Sequence, residues 1–416
     1  FFKKIIYDNL NATISTFDEN GSWKRHYATD ECGIARIYRY ITLLLGMKPN
    51  EHEFKVMGLA PYGKEKYAHE AFKVFEQTLD VEDTKFVWKI KPTDSYYWFK
   101  ERLEGIRFDS IAWGLQNWVE NLLIKWTKNS IRKYKISNII YSGGVAMNIK
   151  AMGKLAELKE VKNLFVGGSA SDESLAIGSG ICLSEDLKLK KKEIWRATDF
   201  SRIETLYLGP KAQNIDENKI VNNLDKNKYS YEGHPTAKKI ARFLSEGKII
   251  GRCADRMEFG QRALGNRSIL ADPTNIMIKE KINSAIKNRD FWMPFAPIIL
   301  DTYAPKYLKN PKKMESPHMT IGFQTTELGY KKMIAACHPA DKSARPQILE
   351  KKHNKKLYEI IEEFSLIKDC GAVLNTSFNL HGYPIVNTPK DAFYVFENSD
   401  LDILVLDNFI VKKNEY

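Results

Sequence analysis

Two βα units in direct succession, each with a glycine pair at its turn, constrain this chain more than any other stretch. Residues 136–141 read as a short buried strand, and Ser142-Gly143-Gly144-Val145-Ala146-Met147-Asn148 follows it. Residues 149–158 have helical periodicity and residues 163–166 form a second strand. Gly167-Gly168-Ser169-Ala170-Ser171-Asp172-Glu173 then leads into the small, apolar residues 174–180. A strand, two glycines and a helix start turn free N–H groups and the positive end of the helix dipole toward an anion, although ordinary αβ turns carry glycines too. Asp172 lies where the second strand gives way to a helix. A carboxylate there is either an N-cap or a metal or substrate ligand. The pattern predicts an α/β domain with its site at the strand ends.

The second half centres on residues 251–273, GRCADRMEFGQRALGNRSILADP. Arg252, Arg256, Arg262 and Arg267 fall within sixteen residues at spacings of four, six and five, interleaved with Gly260 and Gly265. Those spacings fit no single helical face. Guanidinium forks pair with phosphate or carboxylate oxygens, and glycines let main-chain N–H groups approach them. The bland alternative is an exposed basic loop with partners in Asp255 and Glu258.

At 416 residues the chain exceeds one small core, and two domains are expected. A lysine-rich stretch, Lys188 to Lys192, divides them. The expected boundaries are therefore 1–183, a surface linker at 184–206, and 207–416. A net charge of +12 suits anionic partners, but the lysines are dispersed rather than set beside stacking aromatics, which argues against a nucleic-acid reader. Five scattered cysteines without a CxxC point away from zinc and disulfides and toward a reducing, cytoplasmic setting. No apolar run approaches a membrane span. The opening residue is Phe1, and residues 1–17 read as strand sequence entered partway, so the numbered chain is expected to begin inside a longer protein.

Elsewhere, residues 11–17 with the turn Asp18-Glu19-Asn20-Gly21 predict a hairpin, and residues 34–45 predict a helix stopped by Gly46. Glu53 and Lys55 precede a loop rich in glycine and proline, where they could hold ribose hydroxyls and phosphate or merely end a surface helix. Ile111, Leu115, Trp118, Val119, Leu122 and Trp126 recur at helical spacing after an N-cap at Asp109 or Ser110, and read as core. Residues 235–246 predict a helix and 248–253 a strand feeding the arginine loop. His338 reads as an acid or base, or as a structural histidine. Asn375-Thr376-Ser377-Phe378-Asn379 gathers amides and hydroxyls at a strand end, and residues 402–411 predict a closing strand.

Taken together, KVMGLAPYG, SGGVAMN, ASDES, DRMEFGQRALGNRSILADP, MPFAPIIL and LNTSFNLHGYPIVNTP resemble the O-carbamoyltransferases, including those that carbamoylate nodulation factors, cephem antibiotics and tobramycin. The motifs run in the family's order from about residue 8 to the C-terminus. The resemblance implies the C-terminal part of an actin-like (sugar-kinase and threonylcarbamoyltransferase-like) domain, followed by an α/β domain similar to threonylcarbamoyl-adenylate synthases. It also implies chemistry in two steps. Carbamoyl phosphate and ATP would give carbamoyl-adenylate and pyrophosphate in the second domain. The carbamoyl group would then pass to a hydroxyl of a small-molecule or sugar acceptor in the first.

On that resemblance Arg252 and Arg256 would act on carbamoyl phosphate. Arg262, Asn266, Arg267, Ser268, Asn375, Thr376, Ser377 and Asn379 would bind carbamoyl phosphate and ATP. Gly143, Gly144 and Asn148 would hold phosphate at the transfer site, with Glu53 and Lys55 at the nucleoside end. Asp172 matches the family's metal-binding aspartate, the metal being divalent (iron in the best case), with magnesium accompanying ATP. The family's remaining ligands are two histidines spaced HxxxH. None of His26, His52, His69, His234, His318, His338, His353 and His381 has another four residues away. The first half of the actin-like domain is therefore expected on an upstream segment or a second chain, and a homodimer is one compatible assembly. Two rivals are an enzyme that makes threonylcarbamoyladenosine in tRNA and a non-catalytic nucleotide-binding remnant.

Overall fold

The computed structural model describes residues 12–18, 23–191, 205–212, 214–287 and 289–414. The chain divides into two compact units, Phe1–Val166 with Ala170–Ile194, and Gly167–Ser169 with Trp195–Tyr416.

The first unit begins with the expected hairpin, β1 (Ala12–Phe17) against β2 (Trp23–Thr29), antiparallel with an irregularity between Ile14 and Ser15. The turn residues 19–22 lie outside the described residues. A helix at Ile34–Leu44 ends before Gly46, whose φ of +74° is the left-handed stop that glycine permits. The long helix Phe108–Tyr134 buries Ile111, Leu115, Trp118, Val119 and Leu122, while Trp126 is half-buried and donates from Nε1 to Thr84 O at 3.0 Å. Its N-cap is Arg107, not Asp109 or Ser110. Asp109 acts from inside the first turn, where it pairs with Arg107 and accepts from the Ser110 N–H. This helix crosses Glu65–Glu76 closely because Gly114 has no side chain: a Cβ there would lie 2.8 Å from Phe72 N. The second hairpin pairs β3 (Leu79–Glu82) with β4 (Lys85–Trp88).

The predicted βαβ unit is present. β5 (Asn138–Tyr141) and β6 (Asn163–Val166) run parallel, with the helix Ile149–Glu157 between them in sequence. The helix Ser174–Lys191 continues through the first eight residues of the expected linker, since a lysine run is a good helix former even where it lacks apolar periodicity. Residues 192–204, the rest of that stretch except Thr205 and Leu206, lie outside the described residues.

The second unit is built on one eight-stranded mixed sheet. Its strands are β7 (Tyr229–Gly233), β8 (Ile250–Cys253), β9 (Arg267–Ala271), β10 (Ala296–Leu300), β13 (Gln347–Leu349), β14 (Ala372–Ser377), β15 (Ile403–Val405) and β16 (Phe409–Lys413), in the order β13-β10-β14-β9-β8-β15-β16-β7. A separate small pair joins β11 (Phe323–Gln324) to β12 (Ser343–Ala344). Strands β8, β9, β10 and β15 are buried throughout, and Arg252, Arg267 and Ser268 are the polar residues that β8 and β9 carry into the interior. Ile249, Ile269, Leu374, Phe378, Leu404 and Val411 share one core. The helix Ala237–Ser245 matches expectation, capped by Thr236 and stopped at Gly247. The expected single strand over residues 402–411 is instead the hairpin β15–β16. Asp407 and Asn408 supply its turn, and Glu217 accepts from both of their main-chain N–H groups.

Candidate functional site

Sheet pairing brings the two C-terminal motifs together. β9, the exit from the arginine loop, lies beside β14, with Ser377 opposite Ser268 and Thr376 opposite Ile269. Phe378 packs against Gly251, where any Cβ would meet its ring at 2.5 Å. The loop between β8 and β9 is organised from within. Glu258 is buried, and its Oε1 accepts from the main-chain N–H groups of Leu264 (2.7 Å), Asn266 (2.8 Å) and Arg267 (3.2 Å). The N–H nest that the glycines predicted for an external anion is therefore filled by the loop's own carboxylate.

Three of the four arginines serve that architecture. Arg252 is 2% exposed, and its NH1 donates to Gly265 O (2.8 Å) and Asn266 Oδ1 (2.7 Å). Burial lowers its pKa, opposed by the fields of Asp255, Asp407, Tyr207 and Glu258. Arg267 is fully buried and donates to the carbonyls of Asn387, Ala254, Asn266 and Asp255. Arg256 is exposed and holds the carbonyls of Tyr207 and Leu208. Asn266 links Arg256 O, Arg252 and Asn354, and Ser268 Oγ accepts from Gly265 N. The expected contact of Arg252 and Arg256 with carbamoyl phosphate thus meets side chains whose donors already hold main-chain carbonyls.

Arg262 differs. It is half-buried, and among the described residues it makes no hydrogen bond or ion pair, with Nε enclosed and unpartnered. Burial lowers its pKa to about 10. Three cations that the sequence reading passed over stand with it. Arg289 is brought to about 10 by burial and then by Arg262, and Arg345 falls well below the usual arginine range through burial, then Arg262 and Arg289. Lys287, 3% exposed at the end of a π-helical turn, is lowered well below the lysine range by burial and then by Arg289. No carboxylate is among the causes acting on any of the four.

The Asn375–Asn379 segment holds two of these cations in place. Lys287 Nζ donates to Asn379 Oδ1 (2.6 Å), Asn379 O (3.2 Å) and Ser377 Oγ (3.2 Å). Arg289 NH2 donates to Thr376 Oγ1 at 2.8 Å. Asn375 donates to Ala263 O, which ties β14 to the arginine loop. In the sequence, Lys287 and Arg289 are two basic residues among many, with Asn288 between them outside the described residues. Arg345 is marked only by the proline that follows it. Periodicity could not single them out.

In the first unit the turn after β5 is held by Ala170. Gly143, at a φ of +95°, donates its N–H to Ala170 O at 2.7 Å. Gly144 opens a short 3₁₀ turn, and Asn148 caps the next helix through Ala151 N. The Asn148 amide pairs with that of Gln116, at 2.9 Å in both directions. Gln116 also donates to Glu120 and accepts from Tyr38. Tyr38 is raised above the usual tyrosine range by burial, then by Glu120 and Glu53, so Glu53 belongs electrically to the same network. Glu53 accepts from Asn50 N at 2.6 Å as its helix begins, and Lys55 is half-buried on that helix. His338 is structural, accepting from Ala340 N at 3.2 Å.

Asp172 is exposed, and among the described residues no three His, Cys, Asp or Glu side chains are grouped to hold a metal. The residues present do not fit the metal centre that the resemblance implies. Among the described residues, no helix is long and apolar enough to cross a membrane.

Fold and sheet define an α/β protein, and its second unit contains four buried or half-buried cations with no carboxylate acting on them. Residues 10–181 match the family described as Carbamoyltransferase N-terminus, and residues 241–413 match Carbamoyltransferase C-terminus. The chain belongs to the carbamoyltransferase family, a family of enzymes. Two uncharacterized proteins of Methanocaldococcus jannaschii, MJ1058 and MJ1051, are similar. The first is 31% identical over 392 residues, covering 91% of this chain and 62% of that protein. The second is 36% identical over 396 residues, covering 91% of this chain and 72% of that protein. Nodulation protein NolO of Bradyrhizobium diazoefficiens is 30% identical over 374 residues, 87% of this chain and 66% of its own length. The chain thus spans less than two thirds of MJ1058 and of NolO.

Proposed function

We propose that this chain takes part in ATP-dependent O-carbamoyl transfer in the cytoplasm, with activation in the second unit and transfer in the first. Water would cleave carbamoyl phosphate to carbamate and phosphate. A carbamate oxygen would attack the α-phosphorus of ATP, and the bond to the β-phosphate oxygen would break as pyrophosphate leaves. The hydroxyl of a small-molecule or sugar acceptor would then attack the carbamoyl carbon, with AMP departing and the hydroxyl proton passing to solvent. One observation carries the activation step: Arg262 depresses the pKa of Arg289, both depress that of Arg345, Arg289 depresses that of Lys287, and no carboxylate acts on any of the four. Such a cluster costs stability while empty, and its charge is suited to two phosphorylated reactants.

In this reading Arg262 and Arg345 take phosphate oxygens, and Lys287 and Arg289 are aimed by Ser377, Asn379 and Thr376. Arg252, Arg256 and Arg267 shape the loop. Gly143, Gly144, Asn148, Glu53 and Lys55 remain the proposed contacts of the activated nucleotide in the first unit. No step is routed through a metal. The test is carbamoyl-phosphate-dependent exchange of pyrophosphate into ATP. Arg345→Ala is expected to lower that exchange about 100-fold or more. Undiminished exchange in both Arg345→Ala and Arg262→Ala would remove the proposal's basis.

A further inference from the structure

Cleavage of carbamoyl phosphate needs a proton acceptor as well as cations, because water must lose a proton as it attacks. The cluster offers none. Its arginines only donate, and no carboxylate acts on any of its members. Lys287 is also committed. Its Nζ meets three acceptors, and one of them, Ser377 Oγ, spends its own proton on Asn379 Oδ1 at 2.7 Å. Those three bonds use the three protons of an ammonium.

A different group stands beside that lysine. Two residues after Asn379, His381 places Nδ1 at 2.8 Å from the main-chain carbonyl oxygen of Lys287. One short segment thus holds Lys287 by its ammonium, through Asn379, and by its main chain, through His381. A carbonyl oxygen has no proton to give, so Nδ1 is the protonated nitrogen and the lone pair of the neutral ring lies on Nε2. His381 is exposed, and among the described residues its Nε2 makes no hydrogen bond or ion pair.

We infer that His381 is the general base of the first step, an assignment that rests on the activation chemistry proposed above. The oxygen of a water bonds to the carbamoyl carbon while Nε2 takes one of its protons. The bond from that carbon to the bridging oxygen breaks, and phosphate leaves with the electron pair. The second proton of the water is lost as carbamic acid ionises to carbamate, and the imidazolium returns the first to phosphate or solvent.

The test compares two substrates in pyrophosphate exchange. Carbamoyl phosphate requires this step, whereas carbamate, added as its ammonium salt, enters after it. His381→Asn retains an N–H for the Lys287 carbonyl and lacks the imidazole lone pair. It is expected to lower carbamoyl-phosphate-dependent exchange about 100-fold or more while leaving carbamate-dependent exchange within about twofold of wild type. An equal fall with both substrates would make His381 a mere support for Lys287 and overturn the inference. Undiminished exchange with carbamoyl phosphate would overturn it too, as would wild-type exchange that carbamate cannot sustain. Wild-type exchange with neither substrate would instead remove the activation chemistry itself.

Discussion

At the residue scale, the second unit engages some cations in its architecture and leaves others with no opposite charge acting on them. Arg252 and Arg267 look in sequence like phosphate ligands, yet both are enclosed, Arg252 donating from NH1 to Gly265 O and Asn266 Oδ1 and Arg267 to four main-chain carbonyls. Lys287 is the opposite case: a lysine without distinction in the sequence, but buried, repelled by Arg289 and held by Asn379 and Ser377. Its depressed pKa has a definite sign. The empty folded chain binds this proton less tightly than the unfolded chain does. The charged lysine therefore costs stability below the usual lysine range, and that cost fades as pH rises past the folded value. A bound anion reverses the effect. Inorganic phosphate is accordingly expected to raise the melting temperature most at neutral pH, with the gain shrinking as pH rises through the depressed Lys287 pKa. Lys287→Arg should carry that loss to higher pH. Melting curves with phosphate against chloride at equal ionic strength check both.

At the scale of elements, the loop between β8 and β9 depends on Glu258. One carboxylate oxygen closes the loop by accepting three main-chain N–H groups. Glu258→Ala would leave those buried donors unmet and is expected to cost about 3 kcal/mol. Glu258→Gln keeps an acceptor in place and should cost about 1 kcal/mol, the charge-assisted part of the bonds. Urea unfolding separates the two. Pyrophosphate exchange should follow the same order, since a loosened loop no longer presents Arg262. Much of the elements was legible. The strand and helix periodicities over residues 34–45, 136–166 and 235–253 gave elements within two residues of those observed. The helix through 184–191 and the hairpin at 403–413 were not. A charge run hides helix propensity, and a two-residue polar turn is easily read as part of a strand.

At the scale of the whole molecule, the proposal assigns different steps to the two units, and substitutions can separate them. Lys55→Ala, at a proposed contact of the activated nucleotide, is expected to spare pyrophosphate exchange while lowering carbamoyl transfer to a hydroxyl acceptor, followed by mass spectrometry of the product. Loss of exchange in this variant would contradict the division of labour. The family itself was legible in the sequence, because its motifs are contiguous runs whose residue order survives without any knowledge of the fold. So were the two βα units, which follow from local glycines and periodicity, whereas the hydrogen bond from Gly143 to Ala170 O came only with the structure. The composition of the proposed anion site was not. Arg262, Lys287, Arg289 and Arg345 are spread over 84 positions of the chain. Only tertiary packing decides which guanidinium is left without a partner and which is taken up by carbonyl groups. Hydrogen-bond satisfaction is a property of the folded environment, and local sequence carries no record of it.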